Sequence, residues 1–171
     1  MKLLKTLFVL LLLVSFSCTE KEDTEEEQQQ TEGAVSFTFA DGRSFIVENV
    51  NATVTNLYSF SDTKTITITG TAGGSGELTL TLVDKDDDFK AVVNENEFPF
   101  GDTSKSFYAT IRYVDNSSTF TGGAGTFDIF NYEENTNSGT SKLSGIFNTA
   151  NNSTWMLGNI SGLVIRCLEC Q

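Results

Sequence analysis

The acidic segment "VDKDDDFKAVVNENEF" carries carboxylates at Asp84, Asp86 and Asp88, and Glu95 follows eleven residues after Asp84. Alternating carboxylates closed by a later glutamate are the ligand spacing of a calcium-binding loop, whose hard oxygens suit that ion. Two features oppose it. Phe89 occupies the sixth position, where the sharp turn favours glycine, and a strand-like pattern leads in instead of a helix. Calcium at Asp84, Asp86, Asp88 and Glu95 is therefore a hypothesis beside the plainer reading, a solvated loop whose like charges spread apart. The second candidate is the Cys-x-x-Cys pair Cys167 and Cys170 in "IRCLECQ". Such a pair can be a small disulfide loop, a redox dithiol or half a metal site. A tetrahedral zinc site needs four Cys or His ligands, whereas the chain has three cysteines and no histidine. A redox dithiol favours a helix N-terminus, but here a strand pattern runs into the pair. A disulfide between Cys167 and Cys170 is expected, with free thiols the alternative.

Absent histidine also removes the commonest general base, so Ser-His-Asp and Cys-His arrangements cannot be built from this chain. Paired carboxylates for glycoside hydrolysis stay open, because acids are plentiful and no spacing singles out a pair. The glycine clusters "GTAGGSGE" and "TGGAGT" lack the following helix and lysine of a phosphate loop, and read as turns. Trp155, Met156, Tyr108, Tyr113 and Tyr132 suit either a sugar-stacking platform or a core. Aromatic residues on strand faces are expected in the core.

The elements that position these residues are strands. "VSFTF" puts Val35, Phe37 and Phe39 on one face, and "ADGR" is a hairpin signal because Asp-Gly supports the positive φ of a tight turn. "TITIT" aligns Ile66 and Ile68, and "ELTLTLV" aligns Leu78, Leu80 and Leu82. "FYATIRYV", "TGGAGTFDIFNY" and "KLSGIFN" continue the period of two. The last run, "TWMLGNISGLVIRC", is the longest and is apolar on both faces in places; Gly158 and Gly162 mark a bulge or a close approach. The expectation is an all-β body, a single antiparallel β-sandwich or flattened barrel of about nine or ten strands in mostly meandering order.

The chain ahead of that body divides in two. Lys2 and Lys5 head an apolar run of eight residues, Leu7 to Val14, far short of the about 20 needed to span a bilayer. Residues 1–17 thus read as a cleaved secretory signal peptide. "SFSC" resembles the lipobox of bacterial lipoproteins, cut before a diacylated cysteine, although Ser15 stands where leucine is commonest and Phe16 is bulky. That resemblance implies lipidation (palmitate and related acyl chains) at Cys18. Residues 19–32, "TEKEDTEEEQQQTE", hold seven acids, one lysine and no aliphatic or aromatic residue. Such a segment cannot offset its ordering entropy and is expected as a disordered tether. Lys21-Glu22-Asp23 resembles the export tag of surface lipoproteins in Bacteroidetes-type bacteria, which implies a lipid-anchored, surface-exposed place on the outer membrane.

The body, residues 33–171, has 8 basic and 16 acidic residues, a net charge of −8. It is the size of one domain, and its charge repels nucleic acid. The "FTFADGRSFIV" hairpin, the "TITITG" and "GELTLTL" pair, "GTFDIFNYEEN", and the "KLSGIFN" to "NISGLVI" ending resemble small Bacteroidetes-type surface lipoproteins carrying an all-β domain of unknown function. The resemblance implies a secreted all-β domain and brings no site residues. The functional expectation is a non-catalytic binding or accessory module, with the membrane as one partner and a glycan or a protein as the other. The alternatives are a carboxylate-dependent extracellular hydrolase acting on glycans and a β-barrel holding a small ligand.

Overall fold

The structure, a computed structural model, describes residues 33–55, 63–85, 97–135 and 137–167. Cys18, Asp86, Asp88, Glu95 and Cys170 lie outside these stretches, as do all of residues 1–32, where the signal peptide and tether are expected. The described body is all-β. Its strands are β1 (Ala34–Phe39), β2 (Ser44–Thr55), β3 (Lys64–Ala72), β4 (Gly76–Asp84), β5 (Glu97–Pro99), β6 (Phe107–Val114), β7 (Thr119–Thr121), β8 (Ala124–Asn135), β9 (Thr140–Ala150) and β10 (Trp155–Cys167). The period-two runs account for these elements, except that the short β5 and β7 had no sequence signal. Pro99 cannot donate to a ladder, and β5 accordingly sits at a sheet edge.

All ten strands belong to one sheet in the order β5-β8-β9-β10-β1-β2-β3-β4-β6-β7. Two runs of antiparallel neighbours are joined where β10 returns to pair with β1, Phe37 opposite Gly158. β1 is short and antiparallel to both flanking strands. Past its start β10 and β2 meet directly and in parallel, Arg166 opposite Thr53 and Cys167 opposite Val54. The sheet rolls until its ends approach: Phe100 bridges Ala109, and Gly101 N–H donates to the Ala109 carbonyl at 3.2 Å. Among the described residues no continuous ladder closes the roll, so it is a single rolled sheet that stays open.

The inward faces form one core with members from every strand, among them Val35, Val54, Ile66, Leu80, Phe98, Ile111, Phe120, Phe127, Leu143 and Met156. Each such side chain contributes about 1.5–3 kcal/mol by leaving water. Inward glycines make room for large rings. Gly158 lies against the Phe147 ring and Gly145 against the Phe127 ring, and those two rings stack at 6.1 Å between centroids. Gly162 has φ +59° where the β10–β9 register shifts, and is the bulge. Thus one glycine of this strand is a close approach and the other a bulge.

The two ends of the roll differ. One is closed by short hairpins tied by side-chain acceptors: Asp115 takes N–H bonds from Ser117 and Ser118 at 2.8 and 2.7 Å, and Asn151 does likewise for Ser153 and Thr154. At Asp41-Gly42 only Gly42 takes positive φ, +85°. The hairpin is therefore a four-residue loop rather than a two-residue turn with two left-handed positions. Asp41 instead accepts from the Arg43 backbone and guanidinium. The other end gathers the ends of β2, β4, β8 and β10 and the starts of β3 and β9.

Candidate functional site

At that second end, charged groups point inward. Lys64 opens β3 and Asp84 closes β4, directly opposite each other, and both are buried, at 5% and 2% exposure. From the far side of the roll Glu134 on β8 reaches Lys64, Nζ to Oε1 2.9 Å. The same Glu134 oxygen accepts from the Tyr132 hydroxyl at 3.1 Å, which lies 3.3 Å from the buried Ser141 hydroxyl. Glu134 and Ser141 also border an open depression of about 410 Å³ with Glu133, Asn135, Asn137, Thr140 and Lys142. Lys64 thus pairs with a carboxylate from the opposite wall, and the strand register sets it across from the buried Asp84. Its ammonium and the tyrosine O–H both satisfy Glu134, so the arrangement is a cross-roll tie.

The tie also places one member of the calcium set. Asp84 faces inward beside Lys64, while Asp86, Asp88 and Glu95 fall outside the described residues, and no group of three or more Cys, Asp or Glu among the described residues is arranged to hold a metal. Cys167 is disulfide-bonded, and the second sulfur lies outside the described residues. Its backbone N–H donates to the Gly139 carbonyl at 2.9 Å, fixing the end of β10 against the β8–β9 hairpin. The aromatic set divides. Met156, Tyr113 and Tyr132 are core, with burial pushing the Tyr113 phenol pKa up. Tyr108 lies half-buried with the Lys85 ammonium 5.4 Å from its ring centre. Trp155 departs from the core expectation and is 41% exposed. Strand parity is the reason: Met156 and Ile160 face the core, so Trp155 and Leu157 must face out.

Trp155 does not stand alone. Leu157 is 43% exposed, Ile146 49%, Phe130 50% and Ile46 73%. In register, Leu157 lies opposite Asn148 and Ile146 opposite Asn159, which makes Leu157 and Ile146 diagonal neighbours across β10 and β9. Ile146 lies opposite Asp128 on β8, and Phe130 follows two residues later, between Ile129 and Asn131 where the β8 register shifts. Trp155, Leu157, Ile146 and Phe130 therefore form a diagonal stripe over three adjacent strands, roughly 20–25 Å long by strand spacing. The side chains around it include Thr38, Ser36, Asn148, Asn159 and Ser144. No charged residue occurs in Ala34–Phe39, Ser144–Ala150 or Trp155–Ile165. On β8, Asp128 lies opposite Ile146 and two residues before Phe130, and one of its carboxylate oxygens is buried with no hydrogen-bond partner.

The opposite outer wall is different. Thr53, Thr67, Thr81 and Thr110 stand in one row across β2, β3, β4 and β6, small side chains that suit a pleated outer surface. The stripe was missed in the sequence because each of its members alternates with a core residue. The available signal was doubled apolar character, Ile146 beside Phe147 and Trp155 beside Met156, which period-two reasoning assigns to opposite faces. No family model, curated protein or solved structure matches the chain.

Proposed function

We propose that the protein is a non-catalytic binding module held at the bacterial outer membrane by an acylated Cys18, with residues 19–32 as tether and the outer face of β8, β9 and β10 as its docking surface. The observation that carries the docking assignment is the stripe of large apolar side chains on a body of net charge −8. The largest apolar patch on a soluble domain, typically about 300–600 Å², is often its interaction site. The lipobox-like "SFSC" and the acid-rich segment after it support the anchor. The inward-facing carboxylates support a structural role more than a hydrolytic one, because Lys64 and Tyr132 already occupy Glu134. The β-barrel alternative is disfavoured by rings of Phe127, Phe147 and Tyr113 filling the space beside inward glycines.

The anchor is tested by metabolic labelling with palmitate and by membrane fractionation of the parent and Cys18→Ala chains. Label and membrane partition lost together in the variant are expected. An unlabelled parent that fractionates like the variant overturns it. Surface display is read by protease treatment of intact cells, and turnover of a polysaccharide abolished by one Asp or Glu substitution would replace the binding module with a hydrolase.

A further inference from the structure

We infer that the stripe takes an uncharged oligosaccharide, a statement that rests on the stripe being the docking surface proposed above and adds the chemistry of its ligand. Three observations select the ligand. The first is composition. Apolar faces at Trp155, Leu157, Ile146 and Phe130 alternate with amides and hydroxyls such as Asn148 and Asn159. A pyranose ring presents the same mixture, C–H faces that stack on aromatic rings and equatorial hydroxyls that pair with amides.

The second is charge. The stretches of β1, β9 and β10 that carry or flank the stripe hold no ionised side chain, although the body carries −8; on β8, Asp128 lies opposite Ile146, two residues before Phe130, and faces Glu97. An acidic glycan or an anionic headgroup would meet a repulsive surrounding field. A cationic partner would find counter-charge only at the β8 end, at Asp128 and Glu97, and none on β9 or β10, which carry Trp155, Leu157 and Ile146. A neutral ligand is the one that loses nothing in this position.

The third is area. Half-exposed side chains of this size offer on the order of 400 Å² in total. Two copies of this body would also bring like net charges together. A linear stripe roughly 20–25 Å long suits a short glycan chain laid along it. Asp128 lies within its β8 part, opposite Ile146 and two residues before Phe130.

The test uses the detergent-solubilised lipoprotein, with affinity electrophoresis and calorimetry against neutral β-glucan, neutral α-glucan, neutral mannan and polygalacturonate. Retardation by at least one neutral polymer, none by polygalacturonate, and about tenfold or greater weakening in Trp155→Ala and in Phe130→Ala are expected. Both side chains are outward and half-exposed, so circular dichroism of each variant should match the parent. Binding to polygalacturonate alone, or neutral binding that neither substitution weakens, overturns the inference. No binding to any neutral polymer also overturns it. In that case sedimentation decides the fate of the docking surface: self-association, or a saturable complex with one purified envelope protein, that Leu157→Asp abolishes leaves the surface standing with a different occupant. If neither occurs, the docking assignment falls too.

Discussion

Replacing Lys64 with methionine is the sharpest perturbation of this fold. Lys64 and Glu134 are 6% and 11% exposed and 2.9 Å apart. At an effective dielectric of about 20, charges that close attract by roughly 5–6 kcal/mol before desolvation is counted. Most of that offsets the cost of taking both ions out of water, so the intact pair adds little net stability. Removing one partner is another matter. Lys64→Met fills the same volume but leaves Glu134 and the facing Asp84 buried without that ammonium, at a cost of about 3–5 kcal/mol. Glu134→Gln leaves Lys64 facing Asp84 and keeps a carbonyl acceptor for Tyr132, at a cost of about 1–2 kcal/mol. For a body of this size each kcal/mol moves Tm by roughly 3–5 °C, so Lys64→Met should melt about 10 °C or more below the parent. The double variant removes the same carboxylate that Lys64→Met deprives of its ammonium and should be more stable than the sum of the singles by at least about 1 kcal/mol. Urea unfolding of all four proteins measures each leg. Additivity within about 0.5 kcal/mol, or a Glu134→Gln cost exceeding that of Lys64→Met, would refute the reasoning.

Three further outcomes follow from particular residues. Gly158→Ala puts a methyl into the Phe147 ring and should cost about 1–3 kcal/mol, whereas Gly162→Ala meets no atom within 4 Å and should lose only the about 1–2 kcal/mol of a left-handed backbone; thermal unfolding ranks them, and the reverse order would misplace the bulge. Asp115 has its pKa lowered from 3.8 to about 2, chiefly by the Ser117 N–H and then the Ser117 hydroxyl. Its folded value lies below its unfolded one, so its stabilisation is full above pH 3.8 and is lost as pH falls toward about 2. Asp115→Asn should flatten the stability–pH curve in that window, and an unchanged slope in acid unfolding would assign the window to other carboxylates. Asp128 faces Glu97 across β8 and β5 and holds an unpartnered buried oxygen, so Asp128→Asn should stabilise by about 0.5–1 kcal/mol. A loss of stability instead would mean that the carboxylate holds a cation or a donor.

Strand identity was legible because a half-buried strand writes its own burial pattern: in "TITIT" and "ELTLTLV" the inward set Ile66, Ile68, Leu78, Leu80 and Leu82 is the observed core. What alternation does not encode is which strands become neighbours. The pairing of β10 with β1 joins residues more than a hundred positions apart, and nothing local in Phe37 or Gly158 specifies the other. The β2 irregularity was equally silent. Asn49 takes φ +51° where the β2–β3 register shifts, with its amide donating to the Thr71 hydroxyl at 3.1 Å, a conformation asparagine tolerates better than most residues. Lys64 was hidden for a different reason. It heads "KTITIT" at an inward parity, but a lysine at a strand start reads as solvated until Glu134, seventy residues later, is known to face it.

Both departures from the apolar-in, polar-out rule are informative, and they differ in one physical respect. The inward charges have partners within the fold: Lys64 with Glu134, Glu134 with Tyr132, and Tyr132 with Ser141. A polar group satisfied inside the protein explains its own position, since an orphaned one would destabilise the body by more than the pair contributes. The outward apolar residues have no such account. Trp155, Leu157, Ile146 and Phe130 are about half-exposed, and polar replacements at those positions would not disturb the core beneath, because Met156, Phe147 and Ile129 already fill it. Folding therefore does not require the stripe. Binding at that face would, and a stack of polar substitutions there that abolished binding while leaving Tm unchanged would separate the two demands residue by residue.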